Sequence, residues 1–491
     1  MSRVRTVAWV LAALVVASAA SVVAATGGAA AGGPAGFGAV DGPAAPLAAE
    51  SGEVVQTVTY ERVRAVPGEI RATQRYRLGT NVSTVVVYNY TRSRVVAASG
   101  FVERPSGRWT WDERTDEPSL TLRMRVNRTG HRFHGPEYVD TGAWALADPP
   151  RAFAYRRAAG DGWRYSWNEE AVDRRTAVAG EGHAGESVVF LGAHETLRRS
   201  VGGETLRVVR PEQANVSARA ALNALEGAAR RLHVGERTGT VTVFVGPEPL
   251  RPGGAASAAS GGTRDVWVSE TAAVGAPTNT WIHEYVHTRQ NLTLAPEMAW
   301  FREASASYYA GLLSVDQGLG PQGADARFAA RLRGDGPARA VLADPSTWRT
   351  QMAPYRRGQR VLAALDARIR AQTDGNRTLQ AVFRRLNARE TVTVESFAGT
   401  LANVTGRSQA SWVDAHVLDD ALVSAPNVSA LSVETDVTLS AANTTAGRPV
   451  PWTTAGQFPG PGGSHDSAWP VEPRTLVGPP FTAEGLWADQ W

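Results

Sequence analysis

Alternation of apolar and polar side chains dominates the first half of the chain. From Ser119 to Val126, Leu120, Leu122, Met124 and Val126 fall on one face, and Arg123 and Arg125 on the other. That period of two predicts a half-buried strand. Val85-Val86-Val87 and Val188-Val189-Phe190-Leu191 are short apolar runs of strand type, and Pro67-Gly68 and Gly160-Asp161-Gly162 are turn signals. Residues 51–200 therefore predict a β-rich domain, most simply an antiparallel β-sandwich.

The period changes near residue 205. Leu222, Leu225, Ala229 and Leu232 mark an amphipathic helix opening near Pro211. Thr240 to Val245 and Asp265 to Ser269 predict two strands, separated by a Gly/Ala/Ser-rich loop over Gly253 to Gly262. Thr278 predicts the N-cap of a further helix. Helical patterns follow at about 300–314, 354–373 and 378–388. Residues 205–420 thus read as an α+β domain whose second half is helical.

Two flanking regions fit neither pattern. Residues 26–50 are an Ala/Gly/Pro-rich linker, and 421–491 hold the run Pro459-Gly460-Pro461-Gly462-Gly463 with isolated tryptophans. No core-forming period appears there, so the tail reads as partly disordered.

At the N-terminus, Arg3 and Arg5 precede an apolar run from Val7 to Ala25. This is the layout of a secretory signal, with Ala17-Ser18-Ala19 as a cleavage site, or of an uncleaved membrane anchor. Either places the remaining chain outside the cytoplasm, secreted or anchored to the outer face of the membrane. Of 13 asparagines, nine lie in Asn-x-Ser/Thr sequons: Asn81, Asn89, Asn127, Asn215, Asn291, Asn376, Asn403, Asn427 and Asn443. Chance would supply about two, so the pattern fits exposed acceptor loops of an exported glycoprotein.

Composition narrows the chemistry. All 51 cationic residues are arginine, and they are scattered; with a net charge of +4, the chain carries no nucleic-acid signal. The absence of cysteine removes disulfides, thiolate zinc sites and cysteine nucleophiles.

The chemical signal is His283-Glu284-Tyr285-Val286-His287. On a helix, His283 and His287 lie one turn apart on one face and can hold one zinc ion. Glu284 can then act as general base on a water at the metal. Glu303, inside the next helical segment, is the expected third ligand. Glu297, just after Pro296, is its rival, though it also suits a solvated first-turn acid. Trp281, Ile282 and Val286 make the helix apolar enough to pack. His131 and His134 are spaced i, i+3 but lack a matching acid, and read as surface histidines. These residues predict a hydrolase using one zinc per chain, with peptide or protein substrates and unknown oligomeric state. The alternative is a non-catalytic surface glycoprotein that keeps a peptidase-like fold for binding or structure.

This constellation resembles the gluzincin metallopeptidases. In the aminopeptidase N relatives, a Trp-x-x-Glu-Gly-x-Ala-x-Tyr segment carries the third zinc ligand. Trp300, Glu303, Ala306 and Tyr308 match it, with Ala304 in place of the glycine. The short spacing between motifs is similar to the compact peptidase MA-like group, and Thr373 to Leu379 resembles the glycyl-aminopeptidases. Pro354-Tyr355-Arg356-Arg357-Gly358 is similar to the family's Tyr-x-Lys-Gly helix start. By that resemblance Tyr355 would donate a hydrogen bond to the oxyanion of the tetrahedral intermediate. The resemblance covers roughly residues 205–410. It implies an antiparallel β-sandwich-like domain followed by a thermolysin-like α+β catalytic domain. One departure stands out: no Gly-x-Met-Glu-Asn segment, which anchors the substrate's free amine in the aminopeptidases, precedes the zinc helix. Endopeptidase and aminopeptidase activity both stay open.

Overall fold

In the computed structural model, residues 54–432 are described, except 89–92, 130–134, 149–152, 159, 167–171, 238, 257–262, 321–322 and 335–338. They belong to one compact unit. The expected signal or anchor, the linker, His131, His134 and most of the tail lie outside them. Among the described residues, no helix is long and apolar enough to cross a membrane.

The first part of the chain forms three five-stranded sheets. One runs, in spatial order, Val172–Val178, Val54–Arg62, Glu69–Leu78, Ser119–Arg125 and Ser93–Ser99. Leu120, Leu122 and Met124 are buried as the alternation requires. The expected antiparallel arrangement holds with one exception: Val54–Arg62 pairs in parallel with Val172–Val178.

A fourth sheet has the order His194–Val201, Glu204–Pro211, Thr240–Gly246, Thr263–Ser269 and Gly254–Ala256. The three middle strands run parallel, and the two edge strands are antiparallel to their neighbours. The seam expected between 200 and 205 falls inside the hairpin joining the first two strands. Alternation assigns the faces of this sheet. Val241, Val243, Val245, Val266 and Val268 bury against helices, whereas Phe244 and Trp267 bury in a second core shared with Tyr138, Leu146 and Phe190 of the preceding sheets. The sheet is therefore covered on both faces, which makes its strands a rigid base for the loops and helices they feed.

The helical body is built from α1 (Ala218–Arg231), α2 (Thr280–Thr288), α3 (Trp300–Asp316), α4 (Ala324–Arg333), α5 (Gln359–Gln372), α6 (Leu379–Asn387) and α7 (Val394–Thr405). Pro211 ends a strand, and α1 opens only at Ala218, where the Ser217 side chain accepts from the Ala220 amide. The cap of α2 is Asn279 rather than Thr278; its carbonyl oxygen accepts from the Ile282 amide and its amide nitrogen donates to Val274 O at 2.5 Å. The Asn279 side chain carries its acceptor and its donor on separate atoms, which lets it bind both sides of the turn at once. The chain from 421 has no period, yet Val423, Val428 and Leu431 are buried against the helical core.

Excluding Asn89 and Asn443, the seven other sequon asparagines are described, and all are exposed. By contrast, Asn279 and Asn387, outside any sequon, are buried.

Candidate metal centre

Helix α2 is buried on nearly every side, and α3 packs across it. This crossing brings Glu303 over the His283–His287 face. The Glu303 Oε2 atom lies 3.2 Å from His283 Nε2 and 3.4 Å from His287 Nε2, and the two Nε2 atoms are 3.1 Å apart. A tetrahedral ion with bonds of about 2.0 Å has ligand–ligand edges of about 3.3 Å. The triangle therefore has the size of one face of a zinc site, and its two nitrogens and one oxygen are donors zinc accepts. Among the described residues it is the one cluster of three His, Asp or Glu that could hold a metal ion. Glu297 sits in the 3-10 turn Pro296–Met298 and is not in that cluster.

Neighbouring groups hold the triangle in place. The Oε1 atom of Gln290 is 2.8 Å from His287 Nδ1, and the Gln290 amide donates to Arg302 O at 2.8 Å and Ser305 Oγ at 3.0 Å. These bonds orient the Gln290 oxygen toward the ring. Nδ1 then carries the hydrogen and Nε2 keeps its lone pair for a metal. Gln290 was not anticipated from the sequence; a buried amide just past the second histidine is the signal that could have found it.

The site is strongly polarised. Burial lowers the proton affinity of His287, but the charges of Glu303 and Glu284 outweigh it and raise the imidazole to about 9. Burial raises Glu303, and the two imidazoles more than reverse this, holding it well below the usual carboxylate range. Burial pushes Glu284 up, against the lowering pull of His283, His287 and Arg251.

Tyr355 arrives from the far side. It lies in a π-helical turn, Pro354–Gly358, that leads into α5. Its ring stacks on His283 with centroids 5.9 Å apart, and its phenol hydrogen-bonds Glu303. Burial, followed by the Glu303 charge, raises its pKa well above the ordinary value. Close packing sets the turn: a Cβ on Gly358 would stand 2.6 Å from the Ala304 Cβ, one residue from Glu303. The structure thus gathers His283, His287, Glu303, Glu284 and Tyr355 at one place.

Beside Glu284 runs the edge strand Gly254–Ala256, inside the stretch expected to be loop. Three small residues carry no readable alternation. A Cβ at Gly254 would lie 2.8 Å from Glu284 Cγ, so only glycine lets the strand pass this close.

The fold is of the aminopeptidase N type. It is shared with an aminopeptidase N family protein of Idiomarina loihiensis, 12% identical, with a TM-score of 0.51 over 76% of this chain and 77% of that one. An M1 zinc metallopeptidase of Deinococcus radiodurans is also similar, at 14% identity and TM-score 0.44, over 77% of this chain and 95% of that one. Aminopeptidase A of Legionella pneumophila follows at 11% and 0.42, over 75% and 49%. No family model matches the chain, and no curated protein does.

Proposed function

We propose that this chain is an extracytoplasmic zinc-dependent peptidase with one zinc per chain. The observation that carries the reading is the donor triangle of His283, His287 and Glu303, sized for a zinc ion, with Glu284 beside it. When bound, zinc acidifies a water molecule and polarises the scissile carbonyl. Glu284 takes the proton of the attacking water and passes it to the leaving amine; its raised proton affinity suits both steps. The Tyr355 phenol is the donor at hand for the carbonyl oxygen as that atom gains charge. Gln290 keeps the His287 ring in its ligating tautomer. Peptide is the substrate class that this acid–base pair and the shared fold support.

The apolar run at residues 7–25 supports export, either through a cleaved signal or as a membrane attachment. Exposure of every described sequon asparagine supports it too. N-terminal sequencing of the mature protein from an exporting host tests this; a cytoplasmic, uncleaved product refutes it.

The peptidase reading is tested on purified protein with a mixed peptide pool. We expect about one zinc per chain by metal analysis, cleavage that stops on chelation, and loss of about 10²–10⁴ in rate in Glu284→Gln with zinc retained. Zinc-loaded protein that leaves the pool intact would instead favour the non-catalytic surface glycoprotein.

A further inference from the structure

The Tyr355 phenol rests on a short support. Pro354–Gly358 is a single π-helical turn, and its first residue has no amide hydrogen to give. An isolated helical turn is marginal by itself, and one with π geometry is rare. Contacts outside the turn must therefore set the direction in which Tyr355 points.

On one side, Gly358 abuts Ala304 of α3. The other side is held by Arg357. Side chains two positions apart on a helical turn leave it in nearly opposite directions. Tyr355 reaches the His283 ring, and Arg357 reaches the chain after the last helical turns, Ala410–Val413 and Asp414–Leu418. Arg357 is 5% exposed. Its Nη2 donates to Asp419 O at 3.1 Å and Ala421 O at 3.2 Å, with His416 O at 3.5 Å, and its Nη1 donates to Asp420 O at 3.3 Å. The guanidinium thus sits in a cage of main-chain oxygens. A cation buried this far needs such acceptors in place of water, and carbonyls at the end of a helical turn carry partial negative charge.

The cage is itself fixed. Val413 and Val417 are buried in the helical core, and the Ala343 amide donates to Val417 O at 3.0 Å. The Ala421 amide donates to Ala415 O at 3.1 Å, and His416 Nδ1 lies 3.0 Å from Ala421 O. The chain from 415 to 421 closes on itself around the guanidinium. Rotating the Tyr355 turn would pull Arg357 away from several oxygens at once.

We infer that Arg357 is a positioning residue: seated in the main-chain oxygens of residues 416–421, it fixes the rotation of the Pro354–Gly358 turn and so aims the Tyr355 phenol. Its effect on rate rests on the peptidase reading above. Arg357 acts through one hydroxyl, so its loss cannot cost more than the loss of that hydroxyl. A misplacement of about 1 Å costs up to about 10²-fold.

The test uses the zinc-loaded full chain and Arg357→Lys. Lysine keeps the charge but gathers its donors on one atom, so it cannot span the cage as a planar fork does. The substitution should lower kcat by about 10- to 100-fold with KM and zinc content nearly unchanged. In a Tyr355→Phe background it should change kcat by less than about twofold, because the group it aims is gone. A second readout needs no turnover. In protein labelled with 3-fluorotyrosine, the fluorine resonance missing from Tyr355→Phe identifies residue 355, and Arg357→Lys should shift or broaden it. An unmoved resonance, or equal losses of kcat in both backgrounds, would overturn the inference. Unaltered zinc-loaded protein that cleaves no peptide would sink the peptidase reading instead, and the resonance would still decide the positioning. Should Arg357→Lys not fold, His416→Ala, which leaves Arg357 in place and frees one side of the cage, is read in the same way.

Discussion

The contact between Gly358 and Ala304 makes a sharp prediction about how the site is held together. Gly358 has φ −59° and ψ −45°, so alanine fits its backbone without strain. The obstacle is space alone. An added Cβ would lie 2.6 Å from Ala304 Cβ, whereas an ordinary carbon–carbon contact is at about 3.5–4.0 Å. The overlap is about 1 Å, and overpacking of that kind costs about 1–3 kcal/mol. Helix propensity returns about 0.5–1 kcal/mol, so Gly358→Ala should lose about 1–2 kcal/mol net. Helix α3 is buried along most of its length, so the short turn carrying Tyr355 is the part that yields. A 1 Å shift of that phenol should cost up to about 10²-fold in rate. The proposed zinc ligands, on α2 and α3, should keep their metal. The assay combines thermal unfolding, peptide turnover and zinc content. Ala304→Gly alone should cost about 1 kcal/mol as a helix-interior glycine. In the double variant the nearest remaining contacts are Trp300 Cε3 at 3.4 Å and Ala304 Cα at 3.6 Å, so the clash is gone. Stability and rate should then recover beyond the sum of the single losses, by about 1–2 kcal/mol of coupling. Strict additivity would refute the reasoning.

Three further outcomes are expected. Gln290→Ala frees the His287 ring and should weaken zinc binding by about 10–100-fold in a competition with a chelating dye, with the fold intact by circular dichroism. Tyr355→Phe should lower kcat by about 10²–10³ with KM nearly unchanged; equal loss in KM would remove Tyr355 from the transition state. Asp366→Ala leaves buried partners at Tyr308 OH (2.6 Å), the Leu379 amide (2.6 Å) and Arg370 Nε (3.2 Å) without their acceptor, and should cost about 3–5 kcal/mol in urea unfolding.

Much of this was legible from local pattern. His283 and His287 are four apart on an apolar helix, and that spacing alone puts both rings on one side. The strands Ser119–Arg125 and Thr240–Gly246 announced themselves by alternation or β-branching. Other features left no such trace. Three small residues, Gly254 to Ala256, look like loop because they have no period, and pairing with Thr263–Ser269 is what makes them a strand. Asn279 displaced Thr278 as cap through a contact with Val274 that no propensity encodes. Tyr355 was reached through family resemblance, and Gln290 was not anticipated, since only the packing of α3 shows its amide held by Arg302 O and Ser305 Oγ with its oxygen at the His287 ring.

The sequence by itself determined the ligand types, the turn-to-turn spacing of the two histidines, and the order of β-rich and helical regions. These follow from the short-range geometry of helix and strand, which every window of the chain carries. Only the tertiary structure decided that Glu303 rather than Glu297 completes the triangle, that Tyr355 lies over His283, and that the edge strand passes Glu284 at Gly254. Those are distances between segments tens to a hundred residues apart. They are set by which apolar faces bury together, and a one-dimensional pattern does not specify that pairing.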